Sequence, residues 1–282
     1  MWGGLLVADV LVPFYNQHEV LLRCLRSLLE AVGGRNRIIL IDDGSEPAER
    51  AAVGAFLGGA GRAVEVVTHE TNRGYKEAIC TGFRAGDDPE VIFLNSDTVV
   101  TPGFDLRLLE PLREHREEGP RPGAVAPVSN HPTDLFQYRE ALSALTPPEA
   151  GDLAAGLQER FDRARGGRRP GLTWAPYLTG MCLALERRTF ERAGMFGDAY
   201  RHGYFEDLAL CCELRRLGYR LAVREDCFVF HQGHASYRER SQDEKRDIVF
   251  HNFGVFEAQW GHLPEHADLR RRMDYAGEVA PL

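Results

Sequence analysis

The first half of the chain alternates short apolar runs with segments of helical periodicity. The apolar runs cover residues 5–12, 37–41, 63–67 and 91–94, and hydrophobic side chains recur three and four positions apart in the segments between them. Strands that are apolar throughout are typical of parallel sheets, because helices cover both faces of such a sheet. The pattern therefore predicts an α/β fold with a mostly parallel central sheet flanked by helices.

The second half of the chain is less regular. Residues 129–171 are rich in Pro, Gly and charged side chains, with one expected helix at 153–164. A long segment of this kind inside a compact domain is typical of a functional loop or a lid. We predict one domain over residues 1–239, with halves of about 1–128 and 129–239, followed by a helical extension over 240–282.

Composition excludes some classes of function. The 282 residues carry a formal net charge of −8, so bulk electrostatics do not favour nucleic acid as a partner. We find no run long enough for a transmembrane segment and no export signal at the start, although peripheral membrane contact stays open. The six cysteines lie in apolar settings without Cys-x-x-Cys pairs, which indicates reduced, buried thiols. Together these features predict a cytoplasmic protein.

The tripeptide Asn95-Ser96-Asp97 directly follows the apolar run 91–94. A buried strand that ends there places a carboxylate at the carboxyl edge of the sheet, where open α/β sheets bind ligands. Mg²⁺ or Mn²⁺ bridging two phosphates needs only one or two oxygen ligands from the protein. The same tripeptide is also common in ordinary turns.

Other polar residues follow the first three strands. Tyr15, in Pro13-Phe14-Tyr15-Asn16, either stacks on a planar base or fills a corner between strand and helix. Asp42 and Asp43 follow the second strand, where a carboxylate accepts from a base or ribose or merely closes a tight turn before a helix capped by Ser45. Arg73 opens the helix after the third strand, as an anion contact or an ordinary surface residue.

Two further candidates lie in the second half. Glu206 and Asp207 precede an amphipathic helix, where acids either complement the helix dipole or, in a cleft, accept a proton from a hydroxyl. His231 follows the apolar run 228–230 and is a candidate to complete a metal site with Asp97, although a lone histidine is more often structural.

Two common nucleotide-binding signatures are missing. No glycine cluster for a dinucleotide follows the first strand, and no phosphate-loop Gly-Lys-Ser/Thr sequence occurs in the chain. A nucleotide would therefore have to bind in another way.

Taken in order, these motifs resemble the inverting glycosyltransferases of family 2, which have the Rossmann-like GT-A fold. The resemblance covers most of residues 7–236. Its motifs are Pro13-Phe14-Tyr15-Asn16, Ile41-Asp42-Asp43-Gly44-Ser45, Asn72-Arg73-Gly74, Leu94-Asn95-Ser96-Asp97-Thr98, Gly180-Met181, Phe205-Glu206-Asp207 and His231 through Ser236. Each motif is weak alone, and the ordered set is specific.

The resemblance implies a role for each matching residue. Tyr15 and either Asp42 or Asp43 would hold the base, with help from Arg73. The full nucleotide-binding set would be Pro13, Tyr15, Asp42, Asp43, Arg73, Asn95 and Ser96. Gly180 and Met181 would line the donor-sugar pocket, and Asp97 and His231 would bind Mn²⁺ or Mg²⁺. Asp207 and Glu206 would be the catalytic residues, with Asp207 as the base.

The resemblance implies metal-dependent transfer of a sugar, with inversion, from a UDP- or dTDP-linked donor to a hydroxyl of an unidentified acceptor. Residues 1–128 would then bind the nucleotide, residues 129–239 would form a smaller acceptor side, and the product would be a polysaccharide, glycoconjugate or natural product. Asn95 departs from the Asp-x-Asp motif of the family, which keeps a non-catalytic nucleotide-sugar-binding relative as an alternative. A sugar-nucleotide pyrophosphorylase would need a glycine-rich, basic signature that the first strand lacks.

Overall fold

The computed structural model describes residues 8–32, 36–114, 121–149, 152–167, 171–233, 241–264, 266–267 and 269. The described residues form one sheet of nine strands. The strands are β1 Asp9–Phe14, β2 Arg37–Asp42, β3 Glu65–Thr68, β4 Glu90–Leu94, β5 Thr98–Val100, β6 Pro122–Val128, β7 Leu172–Ala175, β8 Cys182–Glu186 and β9 Arg220–His231.

Eight α-helices accompany these strands in the described part of the chain. They are α1 His18–Ala31, α2 Pro47–Gly58, α3 Tyr75–Ala85, α4 Phe104–Arg113, α5 Leu153–Arg165, α6 Arg187–Arg192, α7 Glu206–Arg216 and α8 Gln242–Trp260. Two short 3₁₀ helices, Pro132–Gln137 and Glu140–Leu142, follow β6.

The strand order is β3-β2-β1-β4-β8-β6-β9-β5, and β7 pairs with β9. Strands β1 to β4 are parallel, and β8 runs antiparallel to both β4 and β6. Since β6 is parallel to β9, most strands point the same way, which confirms the predicted α/β fold with a mostly parallel sheet. The carboxyl ends of β1, β2, β4, β6 and β9 therefore meet at one edge, the usual ligand edge of such sheets.

Helices cover both faces of the sheet. Successive strand residues point to opposite faces, so Leu11 and Phe93 pack on the side of α3, α6 and α7. Val10 and Ile92 pack on the side of α1 and α4. Because both faces are buried, these strands need apolar residues at every position, which explains their continuous apolar sequence.

One local expectation was wrong, and one strand is longer than its apolar run. Strand β1 continues past residue 12, because Pro13 pairs with Ile41 inside the strand. This is tolerated because β4 pairs only with residues 9–11 of β1, so the missing N–H of Pro13 lies beyond that ladder. Ser45 does not cap α2, because its hydroxyl accepts a hydrogen bond from the Asn16 N–H at 2.8 Å, and the N-cap residue is Glu46.

The segment 129–171 is not a lid along its whole length. The expected helix is present as α5, and its side chains Leu157 and Phe161 are fully buried. Phe161 stacks on Phe228 of β9 with ring centroids 5.1 Å apart. The N–H of Ala154, in the first turn of α5, donates to Glu30 of α1. Helix α5 therefore belongs to the packed body of the protein.

Helix α8 begins with a capping box, in which Ser241 and Glu244 bond each other's backbone N–H. Two of its aromatic side chains pack on the domain, since Phe256 is fully buried and Phe253 nearly so, whereas Phe250 is 42% exposed. No helix in the described ranges is long and apolar enough to cross a membrane. All six cysteines are free and buried, which agrees with the expectation of reduced thiols.

Replacing Phe161 with Ala tests whether α5 is part of the core. Because the ring is buried and stacked, we expect Phe161→Ala to lower the free energy of unfolding by about 3–5 kcal/mol in urea titrations. The same substitution at the exposed Phe250 of α8 is the matched control, with an expected change within about 0.5 kcal/mol. Equal, small effects of both substitutions would show that α5 is not packed as described.

Candidate active site

The carboxyl ends of the strands border one large cleft, with about 1300 Å³ of space including its open mouth. Most of the predicted site residues line it: Pro13, Tyr15, Asp43, Asn95, Ser96, Asp97, Gly180, Met181, Glu206, Asp207 and His231. Asp42 and Arg73 are not among its lining residues. Of the predicted motif at His231 through Ser236, residues 234–236 lie outside the described residues.

Asp42 and Asp43 are adjacent in sequence but have different surroundings. One oxygen of Asp42 accepts from the Ser45 N–H at 2.8 Å, and the other pairs with Arg50 Nε at 2.9 Å. Asp42 therefore holds the turn after β2 rather than a ligand. Of the two acids that sequence left open for the base, only Asp43 lines the cleft.

Asp43 connects the end of β2 to the loop before α3. Its Oδ1 accepts from the Arg73 N–H and its Oδ2 from the Gly74 N–H, both at 2.8 Å. His69 Nδ1 lies 2.7 Å from the same Oδ1. The side chain of Arg73 itself is exposed and extends toward Glu77, 4.0 Å away. The structure thus gives Arg73 a backbone contact to Asp43 and places its guanidinium outside the cleft.

Asp97 and His231 face each other where β4 and β9 end. Oδ1 of Asp97 lies 3.3 Å from Nε2 of His231, and both side chains are buried. Neighbouring ligands of an octahedral ion at about 2.0–2.1 Å are about 3 Å apart, so this separation suits a shared divalent cation. Within the described ranges no three His, Cys, Asp or Glu side chains are grouped to hold a metal. Asp97 and His231 would thus be two ligands from the described residues, which would fit an ion that also binds substrate phosphates.

Asp134 holds His231 from the other side. Nδ1 of His231 lies 2.9 Å from Oδ1 of Asp134, and the Ser129 hydroxyl donates to the same carboxylate. Burial lowers the pKa of His231, but the charges of Asp134 and Asp97 outweigh it and raise that pKa well above its ordinary value. A carboxylate on the far ring nitrogen orients the imidazole, as is usual for metal-binding histidines. A divalent cation would replace the proton between Nε2 and Asp97.

Asn95 has an unsatisfied oxygen. Its Oδ1 is buried and has no hydrogen-bond partner in the described structure, whereas its backbone N–H donates to the carbonyl of Met181 at 2.9 Å. A buried acceptor without a donor is unfavourable, so a ligand donor such as a hydroxyl would satisfy it. The side-chain oxygen of Asn95 is therefore a candidate acceptor for a hydrogen bond from a ligand.

The two acids at the start of α7 are held differently. Oδ2 of Asp207 accepts from the Gly180 N–H at 2.7 Å, and Oδ1 accepts from the Leu208 N–H at 2.8 Å. The Tyr75 hydroxyl donates to the Gly180 carbonyl at 2.8 Å, so both ends of this glycine are fixed. Oε2 of Glu206 is buried and finds no partner among the described residues. Asp207 is therefore oriented into the cleft, while Glu206 lies in an apolar setting.

Both acids bind protons more tightly than usual. Burial, and next the negative charge of Asp207, raise the pKa of Glu206 from 4.5 to about 8, although Lys76 opposes this. Burial also raises the pKa of Asp207, against the hydrogen bonds from Gly180 and Leu208. A carboxylate with a raised pKa is a stronger proton acceptor once ionised, which is what a general base requires.

Sequence reasoning missed several residues that line the cleft, among them Asp134. Asp134 lies within the 3₁₀ helix Pro132–Gln137 and does not directly follow a strand, so no local pattern marked it. Tyr75 and Tyr204 also line the cleft. Nothing in the sequence around either tyrosine marks it, because only the tertiary structure brings α3 and the loop before α7 to the same edge.

The family model described as "Glycosyl transferase family 2" matches residues 9–191, more than half of the chain. The chain therefore belongs to glycosyltransferase family 2. The match ends before Glu206, Asp207 and His231, so their roles depend on the geometry described above.

Similar proteins agree with this assignment. The chain is 26% identical over 192 residues to the uncharacterized glycosyltransferase EpsJ of Bacillus subtilis strain 168, covering 68% of this chain and 51% of EpsJ. The chain thus spans about half the length of this curated relative.

Two solved structures share the fold. A structure of GalNAc-T7 with UDP, GalNAc and Mn²⁺ is 16% identical with a TM-score of 0.66, covering 98% of this chain and 55% of that one. Mannosyltransferase PcManGT from Pyrobaculum calidifontis, with GDP-Man and Mn²⁺, is 18% identical with a TM-score of 0.57, covering 98% and 76%. They establish the expected GT-A fold for this chain.

The pH dependence of stability tests the setting of Glu206. The folded-state pKa lies above the usual 4.5, so the folded protein keeps a proton that the unfolded chain releases. Glu206 therefore contributes stability that is fully present below about pH 4.5 and is lost as the pH rises to about 8. Glu206→Gln stays neutral and escapes this loss. We expect its free energy of unfolding, relative to wild type, to rise by a few kcal/mol, on the order of 1.4 per pKa unit, between pH 5 and pH 8.5.

Glu213→Gln on the same helix is the control. Its hydrogen bond to Arg216 lowers the pKa of Glu213, so that carboxylate is ionised in both states across this pH range. The difference between Glu213→Gln and wild type should therefore stay constant from pH 5 to pH 8.5. A flat curve for Glu206→Gln as well would mean that Glu206 is not buried in an apolar setting.

Proposed function

We propose that this chain is a metal-dependent, inverting glycosyltransferase. It moves a sugar from a UDP- or dTDP-linked donor to a hydroxyl group of an acceptor in polysaccharide, glycoconjugate or natural-product synthesis. One observation carries the proposal: the pair Asp97–His231 and the carboxylate of Asp207 line the same cleft. Asp97 and His231 would hold the metal-bound diphosphate, and Asp207 would act as the base for the acceptor hydroxyl. The solved structures with the same fold contain Mn²⁺ with UDP or with GDP-Man, which supports a nucleotide-sugar donor and Mn²⁺ or Mg²⁺ as cofactor.

The proposed donor site lies on the side of β1, β2 and β4. Tyr15 and Asp43 border the cleft there and would contact the base, while Asn95 and Ser96 would contact the ribose or the phosphates. Asp97 and His231 would hold the divalent cation. When bound, that cation supplies charge neutralisation for the departing diphosphate.

The proposed catalytic step is a single displacement. Asp207, ionised, accepts the proton of the acceptor hydroxyl through one of its oxygens while the Gly180 and Leu208 N–H groups keep the carboxylate in place. The hydroxyl oxygen bonds to the anomeric carbon as the bond to the diphosphate breaks, so the configuration inverts. Glu206 needs no part in this transfer, since its raised pKa keeps it largely protonated near neutral pH.

Calorimetric titration with UDP, dTDP and GDP, with and without Mn²⁺, tests the metal and the base. We expect tight binding of UDP or dTDP that weakens sharply when Mn²⁺ is removed. Asp97→Asn should abolish this metal dependence, because it removes the charged ligand. Asp134→Asn should weaken Mn²⁺ binding by roughly 10- to 100-fold, because it frees the ring of His231.

Uridine is the control ligand in this experiment. It lacks the diphosphate, so its binding should be the same with and without Mn²⁺ and the same in both variants. Folded protein that binds none of the three diphosphates would contradict the proposed function. Metal-dependent binding that survives Asp97→Asn would contradict the proposed metal site alone.

Replacing Asp207 with Asn tests the base. The amide keeps the size of the side chain but accepts no proton, so we expect kcat to fall by roughly 10²–10⁴-fold. Activity is measured as nucleoside diphosphate released from the UDP- or dTDP-sugar that the wild-type protein turns over fastest. Nucleotide affinity should stay within about two-fold, because Asp207 lies outside the proposed nucleotide contacts.

Asp198→Asn makes the same chemical change at an exposed position in the loop before α7. Its kcat should equal that of wild type. Undiminished activity of Asp207→Asn would refute the assignment of the base and favour another carboxylate in the cleft.

A further inference from the structure

The loop over residues 199–205 has an unusual backbone. This loop directly precedes α7, whose first turn bears Glu206 and Asp207. His202, Tyr204 and Phe205 have φ angles of 55°, 72° and 69°, in the left-handed region that residues with a side chain rarely adopt. Such a conformation persists only where surrounding contacts impose it.

Asn252 of α8 supplies those contacts. Its side chain is fully buried. Its Oδ1 accepts from the Arg201 N–H at 2.9 Å, and its Nδ2 lies 2.9 Å from the Arg201 carbonyl, 2.7 Å from that of Gly203 and 3.0 Å from that of Tyr204. Three carbonyls around one nitrogen fix the orientation of the amide, since only an NH₂ group can donate to them.

An amide is the side-chain group that suits this position. It must accept from one backbone N–H and donate to several carbonyls at the same point, and a carboxylate or a hydrocarbon cannot do both. Neighbouring residues of α8 support the start of the loop. The Tyr200 hydroxyl donates to Gln259 at 2.9 Å, and Nε2 of His251 lies 3.4 Å from the Ala199 carbonyl.

Helix α3 holds the loop from the opposite side. The Lys76 N–H donates to the His202 carbonyl at 3.3 Å, and the Lys76 ammonium lies 3.4 Å from the Gly197 carbonyl. Gly74 packs so closely that a Cβ there would lie 2.4 Å from the Cα of His202. The loop therefore lies between α8 and the segment at the start of α3. The Arg73 and Gly74 N–H groups of that segment bond to Asp43.

We propose that Asn252 is a positioning residue for catalysis. It holds the backbone of the loop over residues 199–205 and thereby places Asp207 in the cleft. Helix α8 is then part of the catalytic unit and not an accessory extension, although it lies beyond the residues that the family model matches. The inference rests on the proposed role of Asp207 as the base. Asn252 itself touches no substrate, so its effect is exerted through the backbone of the loop.

The test compares Asn252→Ala and Asn252→Asp with wild type in the nucleoside diphosphate release assay with Mn²⁺. We expect kcat to fall by roughly 10- to 100-fold in both variants, because a displacement of the base of about 1 Å is enough for such a loss. The KM for the donor and the Kd for UDP should change by no more than about two-fold. Asn252→Asp should not rescue activity, because it keeps the acceptor and loses the donors.

Two controls separate positioning from stability. Phe250→Ala lies on the exposed face of the same helix and should leave kcat unchanged. Phe161→Ala in α5 should destabilise the fold without changing kcat, when both are measured well below the unfolding temperature. If the Asn252 variants keep kcat within two-fold of wild type, or if Phe161→Ala loses as much, the inference is overturned.

Asp207→Asn, measured in parallel, distinguishes the two proposals. If Asp207→Asn is inactive and Asn252→Ala is fully active, only the positioning role fails. If Asp207→Asn is active, the proposed base fails and the positioning role fails with it. Should neither Asn252 variant fold, hydrogen exchange of the wild-type protein decides: slow exchange of the Arg201 amide supports the positioning role, and exchange at the rate of an unprotected amide overturns it.

Discussion

Carboxylates at the carboxyl edge of the sheet, each held by backbone N–H groups from a different segment, are the constraint on which the site depends. Asp43 binds the loop before α3, and Asp207 binds Gly180 after β7. A buried carboxylate is tolerated only when its oxygens find donors, so each acid forces a distant segment into one position. The cleft is thereby preorganised, with its acids and its backbone fixed by the same bonds.

The charged surroundings of His231 differ from those of Glu206 and Asp207. Asp97 and Asp134 hold His231 between two negative charges, an arrangement that favours a cation there. At Glu206 and Asp207, burial raises both pKa values; Lys76 opposes this at Glu206, and the charge of Asp134 adds to it at Asp207. The proposed metal ligands and the proposed base thus line one cleft with different electrostatic surroundings.

Helix α8 packs against the part of the chain that carries the cleft. Sequence places it in an extension after residue 239, and that division remains a prediction. Yet its buried face, with Asn252 and Phe256, packs against the loop and helix that bear the proposed base. A left-handed loop of non-glycine residues is costly, and here the compensating hydrogen bonds come from α8.

The sequence by itself determined the α/β class, the mostly parallel sheet and the edge at which the polar residues gather, because apolar periodicity and strand ends are local properties of the chain. It also predicted Asn95, Asp97, Asp207, His231 and one of Asp42 or Asp43 as site residues, because they follow strands or open a helix. Only the tertiary structure decided that Asp42 and Arg73 do not line the cleft, that Asp134 orients His231, and that Asn252 holds the loop before α7. Those outcomes depend on contacts between segments far apart in the chain, and no local pattern encodes which partner a buried polar group finds.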